Sequence, residues 1–307
     1  MSKARVAVIG VGHLGQHHAR ILAAMPDADL VAVVDTRPDR AAEVAAKHDT
    51  AALSDGSSLI GRVDAVTIAT PTLSHVDIAL PFIEAGAAVL VEKPMAASMA
   101  EADRLLAAAE ARGTILAIGH TERFNPAVAA ALPLVSSPRF IEIHRLGTFP
   151  ERSLDIDVIF DLMIHDLDIL LAVVGPEVIS VEAIGVNVLT PRVDIANARL
   201  RFASGCIANV TASRISRERV RKARFFQHDS YLSIDFAAQE LEVYRLVAPN
   251  GGRPAIQGGR AEVTNDEPLR RELADFIDAV RNRRPPAVTG RAGRAALALA
   301  TRVAEIM

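Results

Sequence analysis

Near the amino terminus the chain reads ARVAVIGVGHLGQHHARILAAM, and the placing of three glycines in it restricts the fold more than any other feature. Residues 4–10 form a near-continuous apolar run, the pattern of a strand buried on both faces. Residues 13–25 have helical character and stop before Pro26. Gly10, Gly12 and Gly15 spell G-x-G-x-x-G across the junction. On its own that pattern is weak. A strand before it, a helix after it and an acid closing the next strand give it a mechanism. The acid is Asp35, 20 residues beyond Gly15. Gly10 permits the tight turn, Gly12 lets the backbone approach a pyrophosphate seated on the helix N-terminus, and Gly15 allows close helix–strand packing. Asp35 can accept hydrogen bonds from ribose hydroxyls, and a 2′-phosphate would meet like charge there. The expected cofactor is therefore NAD in preference to NADP. Arg37 is the opposing feature, because a nearby arginine accommodates that phosphate. His13 and Leu14 lie within the turn and are counted with the cofactor contacts. The histidines of this stretch, His13, His17 and His18, read as packing and surface groups before they read as ligands.

The alternation continues. ADLVAVVD, VDAVTIAT, AAVLVEKP and TILAIGH read as strands, separated by helical segments at 38–48, 71–86 and 98–113. Pro81 should kink the second of these. Ser98 and Glu101 form a capping box for the third, and Gly113 suits its end. Apolar strands alternating with helices indicate a doubly wound parallel sheet. After RFNP the rhythm changes. RFIEIHRLG, VISVEAIGVNVL, DIANARLRFA, CIANVTASRI, ARFFQHD, YLSIDFA and LEVYRLV read as strands of a largely antiparallel sheet, many with period-two alternation. One long helix, roughly 153–174, interrupts them, and two helices close the chain.

With 307 residues, 50% of them hydrophobic, the chain exceeds what one compact domain usually holds. The expected division is a Rossmann domain at 1–123 and an α+β domain with a large open sheet at 124–307, whose last helices can return to the first domain. A net charge of −3 gives no bulk attraction to nucleic acid or an anionic membrane. The single cysteine, Cys206, excludes an intrachain disulfide and reads as a small buried hydrophobe. MSKARVAVIG turns polar too early for a signal peptide, and Asp161, His165, Asp166 and Asp168 interrupt the longest apolar stretch. A cytoplasmic protein is expected.

Ligands of doubly wound sheets lie outside the carboxyl ends of the strands. ATPTLSH (69–75), EKP (92–94) and GHTERFNP (119–126) all follow such ends and would line one cleft beside the nicotinamide; Thr70, Pro71, His75, Glu92 and Lys93 are counted with the cofactor contacts, and Lys93, Arg123 and Asn125 with the substrate contacts. With GVGHLG and DLMIHDLD, these motifs resemble the glucose–fructose oxidoreductase / inositol dehydrogenase / rhizopine-catabolism family over nearly the whole chain. The resemblance implies an NAD-dependent dehydrogenase assembling as a homodimer or homotetramer through an exposed sheet face. It also implies that Lys93 reaches both the nicotinamide ribose and the reacting hydroxyl, across a cis bond to Pro94. A solvated lysine at a strand edge is the plain alternative.

In LDIDVIFDLMIHDLDILLAVV, Asp157, Asp161, His165 and Asp168 fall within an arc of roughly 80° at about 100° per residue, and Asp166 points the other way. Such a strip on a buried helix is either the floor of a cleft, a buried ion-pair network or, through Asp-x3-His and His-x2-Asp, a metal site. The family pattern makes His165 the general base and Asp161 its orienting partner, with no metal. Family members often carry glycine where this chain has Val158, Ile159 and Met163, which suggests a reshaped pocket wall. Further on, Arg214, Arg217, Arg219, Arg221, Lys222 and Arg224 face one acid, Glu218. If extended, Arg217, Arg219 and Arg221 share a face suited to a diphosphate; a solvated basic loop fits the charge equally well. This part of the chain resembles one subgroup of the family, the UDP-N-acetylglucosamine 3-dehydrogenases, which oxidise a sugar C3 hydroxyl. A polyol or free-sugar dehydrogenase and a catalytically silent NAD-binding sensor are the competing readings.

Overall fold

The computed structural model describes residues 2–149, 156–247 and 254–307, so the first residues of the helix expected from 153 lie outside the described ones. The chain divides into two units. One comprises residues 1–120 with 269–294, the other residues 121–268 with 295–307.

The first unit is built on six strands: β1 (Ala4–Ile9), β2 (Ala28–Val34), β3 (Ala51–Leu53), β4 (Ala65–Ile68), β5 (Ala88–Glu92) and β6 (Leu116–Gly119). They lie parallel in the order β3-β2-β1-β4-β5-β6. The order reverses direction between β1 and β4, which opens a crevice at their carboxyl ends. Helices α1 (Gly15–Ala24), α2 (Pro38–His48), α3 (His75–Glu84) and α4 (Met99–Arg112) connect the strands. Every residue of β4, β5 and β6 is buried, as a sheet covered on both faces requires. Ser98 caps α4 by accepting from Glu101 N, Glu101 reaches back to Ala97 N, and Gly113 ends the helix in the left-handed region at φ +63°. α3 continues through Pro81 for one short turn, so the proline forfeits only the bond to the Asp77 carbonyl. The three-residue β3 is an edge strand that no sequence period announced.

The second unit opens with α5 (Pro126–Ala131) and β7 (Phe140–Leu146), followed by α6 (Ile164–Val174). Then come β8 (Val178–Val186), β9 (Ile195–Phe202), β10 (Ile207–Ser213), β11 (Val220–Phe226), β12 (Ser230–Asp235), β13 (Glu240–Val247) and β14 (Ala255–Arg260). The eight strands run β14-β13-β12-β11-β7-β10-β9-β8, antiparallel except for the β7–β10 pair. One face carries the core: Ile141, Ile143, Leu200 and Phe225 pack with Ile164, Leu167 and Leu170 of α6. Each such side chain contributes about 1.5–3 kcal/mol. Cys206 is buried, and burial pushes its thiol up to about 11. The other face shows a row of rings, Phe140–Phe226–Tyr231–Tyr244, with centroid spacings of 5.6, 5.1 and 6.2 Å. β14 escaped the sequence reading because AIQGGR has neither alternation nor bulk, and a Cβ on Gly258 would lie 1.9 Å from the Val243 carbonyl. Of the closing helices, α7 (Pro268–Asn282) places Leu273, Phe276 and Ile277 in the core of the first unit. α8 (Gly290–Ile306) contributes Leu299 and Val303 to that of the second.

Candidate active site

In the first unit, Gly10, Gly12, Asp35, Arg37, Thr70 and Pro71 line a cleft of about 580 Å³. Gly10 has φ +82°, and a Cβ there would meet Thr70 Cγ2 at 2.7 Å. A Cβ on Gly15 would meet the Gly10 carbonyl oxygen at 1.8 Å, whereas a Cβ on Gly12 would meet nothing within 4 Å. Two of the glycines are thus demanded by packing, and the third leaves the backbone open toward the cleft. α1 begins without a side-chain cap and without an acid in its first turn, so its electropositive end favours an anion. The loop is held from several sides. Val11 N donates to Asp35 Oδ2 (3.1 Å), and Arg40 Nε donates to the Val11 carbonyl (2.8 Å). Arg40 also holds Gln16, whose amide bonds the His13 carbonyl. Asp35 Oδ1 accepts from Arg37 N, and the exposed Arg37 guanidinium lies 3.7 Å away. These residues fit a dinucleotide. Arg40 and Gln16 were missed by the sequence reading, which followed the glycines and not the helix that clamps them.

His75 is buried. Its Nδ1 lies 3.1 Å from the Pro94 carbonyl and its Nε2 2.9 Å from the Thr70 carbonyl, so the ring ties the ATPTLSH loop to the EKP turn. Both neighbours are acceptors, and a neutral ring donates to one of them at a time. Burial pushes the His75 imidazole below its ordinary pKa. The Lys93–Pro94 peptide bond is cis. Lys93 is half-buried at the end of β5. Glu92, expected among the cofactor contacts, is turned inward: Oε1 pairs with His18 Nε2 at 3.1 Å and Oε2 accepts from Lys93 N at 3.3 Å.

In the second unit the helix carrying the polar strip opens with a π-helical turn, Ile159–Met163, before α6 begins. The steady 100° step assumed from the sequence therefore fails between Asp161 and His165. Asp161 and His165 are half-buried. Asp157 instead accepts from Val193 N at 2.9 Å. Asp168 is buried in a two-pronged pair with Arg123, whose Nε and Nη2 donate at 2.9 and 2.7 Å. Asp166 is equally buried and takes two hydrogen bonds from Arg145, which also donates to Glu122 at 2.6 Å and covers the Phe236 ring. Burial opposes the Arg145 charge, but Asp166 and Glu122 more than overcome it and raise its pKa. Of the polar strip, Asp168 is thus part of a buried ion pair, and Asp166, which lies off the strip, belongs to another. Arg145 was legible in principle, since period two puts it on the same face as Ile141 and Ile143.

Asn125, like Arg123, serves the fold: its Oδ1 caps α5 through Ala127 N and its Nδ2 donates to the Phe236 carbonyl. Val158, Ile159 and Met163 are fully buried in the core, so their bulk is directed inward and not onto a pocket wall. The basic segment is not one extended face. Arg214 is buried, bonding Asp194 and the carbonyls of Ile156 and Val193. Arg217 and Arg219 are exposed in the bend before β11. Arg221 lies within β11, opposite Arg145 and 3.9 Å from Glu122. Lys222 and Arg224 pair across strands with Asp235 and Glu142.

Residues 4–120 match the oxidoreductase family with an NAD-binding Rossmann fold, and residues 142–230 match the GFO/IDH/MocA C-terminal domain. The UDP-N-acetylglucosamine 3-dehydrogenase of Acidithiobacillus ferrooxidans is 41% identical over 97% of this chain and 96% of its own length. The chain belongs to the Gfo/Idh/MocA oxidoreductase family. The solved structure of the Acidithiobacillus enzyme superposes with a TM-score of 0.93 over 100% of this chain and 98% of that one, at 40% identity. The scyllo-inositol 2-dehydrogenase (NAD(+)) of Bacillus subtilis is 28% identical over 93% of this chain and 88% of its own. Levoglucosan dehydrogenase in complex with NADH shares the fold, with a TM-score of 0.90 at 20% identity over 99% of this chain and 97% of that one. In this Gfo/Idh/MocA chain the Rossmann match runs from β1 to the end of β6, and the C-terminal match covers most of β7 and continues through β11. Among the described residues no helix is long and apolar enough to cross a membrane, and no cluster of three or more His, Cys, Asp or Glu is arranged to hold a metal ion.

Proposed function

We propose that this oxidoreductase uses NAD to oxidise the C3 hydroxyl of UDP-N-acetylglucosamine to the 3-keto sugar. The observation that carries the reading is near full-length similarity, at 41% identity, to an enzyme of that activity. NAD, when bound, supplies the hydride acceptor. Gly10, Gly12, Gly15 and the uncapped start of α1 would hold the pyrophosphate, and Asp35 would accept from the adenosine ribose hydroxyls. NAD is favoured over NADP because the Asp35 carboxylate repels a 2′-phosphate and offsets the charge of Arg37. His165 takes the hydroxyl proton, Asp161 orients the imidazole, and the Lys93 ammonium polarises the reacting oxygen and relays the proton. Arg217, Arg219 and Arg221 supply cations for the diphosphate. Arg123 and Asn125 act through the framework they hold, not by touching substrate. The row of rings on the open sheet face supports assembly as a homodimer or homotetramer.

The similarity to scyllo-inositol 2-dehydrogenase favours a second reading, a polyol or free-sugar dehydrogenase. NADH formation measured on UDP-N-acetylglucosamine, scyllo- and myo-inositol and glucose separates the two. The proposal expects kcat/KM on the nucleotide sugar to exceed the others by about 100-fold or more. Preference for an inositol contradicts it, and silence on every alcohol leaves an NAD-binding sensor.

A further inference from the structure

Among the buried polar groups of the first unit, one pair has no part in the chemistry just described. His18 lies on the inner face of α1 beside Ala19, Ile21 and Leu22, with no exposed side-chain surface. A helix face that packs on a sheet is ordinarily apolar. Here it carries an imidazole whose Nε2 donates to Glu92 Oε1 at 3.1 Å, while Nδ1 has no hydrogen-bond partner. Burying both an imidazole and a carboxylate is unfavourable unless they are joined, so the pair is retained for geometry that an apolar contact cannot supply.

The geometry is specific. The other Glu92 oxygen accepts from Lys93 N at 3.3 Å. β6 leaves room for this carboxylate by having glycine beneath it, since a Cβ on Gly119 would lie 2.8 Å from the carboxyl carbon. One residue past Lys93, the Pro94 carbonyl is held by His75. The peptide unit entering Lys93 is therefore held by a carboxylate that α1 fixes from within, and the unit leaving Pro94 is held by His75. We propose that His18 is a positioning residue for Lys93, acting through Glu92 to orient the strand end that carries the amine. This deepens the functional reading and rests on Lys93 serving the reacting hydroxyl.

Two variants and two readouts test it. His18→Leu fills the site and removes the donor, while His18→Gln places an amide nitrogen near the position of Nε2. Amide hydrogen exchange at Lys93 reads the clamp without any substrate. In His18→Leu it is expected to quicken about tenfold or more, with Val89 and Leu90 unchanged. Kcat on UDP-N-acetylglucosamine is expected to fall roughly 10–100-fold with the Kd for NAD within about twofold. His18→Gln should restore most of both. Wild-type exchange at Lys93 in His18→Leu overturns the proposal. So does faster exchange with unchanged kcat, or a loss of NAD affinity that parallels kcat and is not rescued by glutamine. Lys93→Met reports separately on the functional reading: if it retains turnover, the role of Lys93 falls. If the wild type ignores this sugar, the substrate assignment falls and the exchange at Lys93 still decides the clamp.

Discussion

Lys93 and His165 sit in differently built surroundings. Around Lys93 the anchors are imidazoles: His18 on the Glu92 carboxylate and His75 between two carbonyls. Around His165 they are guanidiniums: Arg145 on Asp166 and Glu122, and Arg123 on Asp168. A neutral imidazole has a single N–H to donate, whereas a guanidinium has five. The first setting depends on few hydrogen bonds. The second depends on buried ion pairs, which are costly to break by halves.

The largest effect expected from this contrast is in the second setting. Arg145→Met leaves Asp166 buried without its cation and should cost about 3–5 kcal/mol in a denaturant titration. Adding Asp166→Leu should recover much of that loss. A single-variant loss below about 1 kcal/mol would mean that Arg145 is only a surface-grade pair. Next in size is the cofactor clamp of the first unit. Asp35→Ser removes the carboxylate that offsets Arg37 and bonds Val11 N, so the ratio of kcat/KM for NAD over NADP should drop by about tenfold or more, roughly 1.4 kcal/mol. An unchanged ratio would place discrimination elsewhere in the cleft.

The smallest effect is the pH response. Burial lowers the His75 pKa, so the folded state prefers the neutral ring. Below the ordinary histidine value of about 6.5 the unfolded chain takes up the proton first, and stability is lost as pH falls through that point. His75→Gln should show less loss of stability between pH 7.5 and pH 5.5 than the wild type. The difference is the needed control, because His48 is shifted in the same direction. Equal losses would remove His75 as the source.

Much of this is legible in the amino-acid sequence. The glycine spacing, the acid 20 residues on and the apolar strands fixed the Rossmann unit, because each is a local demand of backbone geometry. The capping box of α4 was readable for the same reason. What escaped depended on contacts distant in sequence. His18 meets Glu92 74 residues later, and Arg145 meets Asp166 across the interior of the second unit. The polar strip was read on a uniform helix, and no residue type announces a π-helical turn at Ile159–Met163. For the basic stretch the sequence leaves an extended face and a solvated loop open; the strand begins only at Val220, with Arg217 and Arg219 before it and Arg214 buried on Asp194. β3 and β14 lacked a pattern because short edge strands need none.

The central claim is that a hydride leaves C3 of UDP-N-acetylglucosamine in a reaction served by Lys93 and His165. The most direct measurement uses UDP-N-acetylglucosamine deuterated at C3, with the reduced nicotinamide recovered and weighed by mass spectrometry. The account predicts one deuterium in the reduced cofactor from the wild type, and turnover roughly 100–10,000-fold lower in Lys93→Met and in His165→Asn. Reduced cofactor without deuterium, or either variant turning over at the wild-type rate, would contradict it.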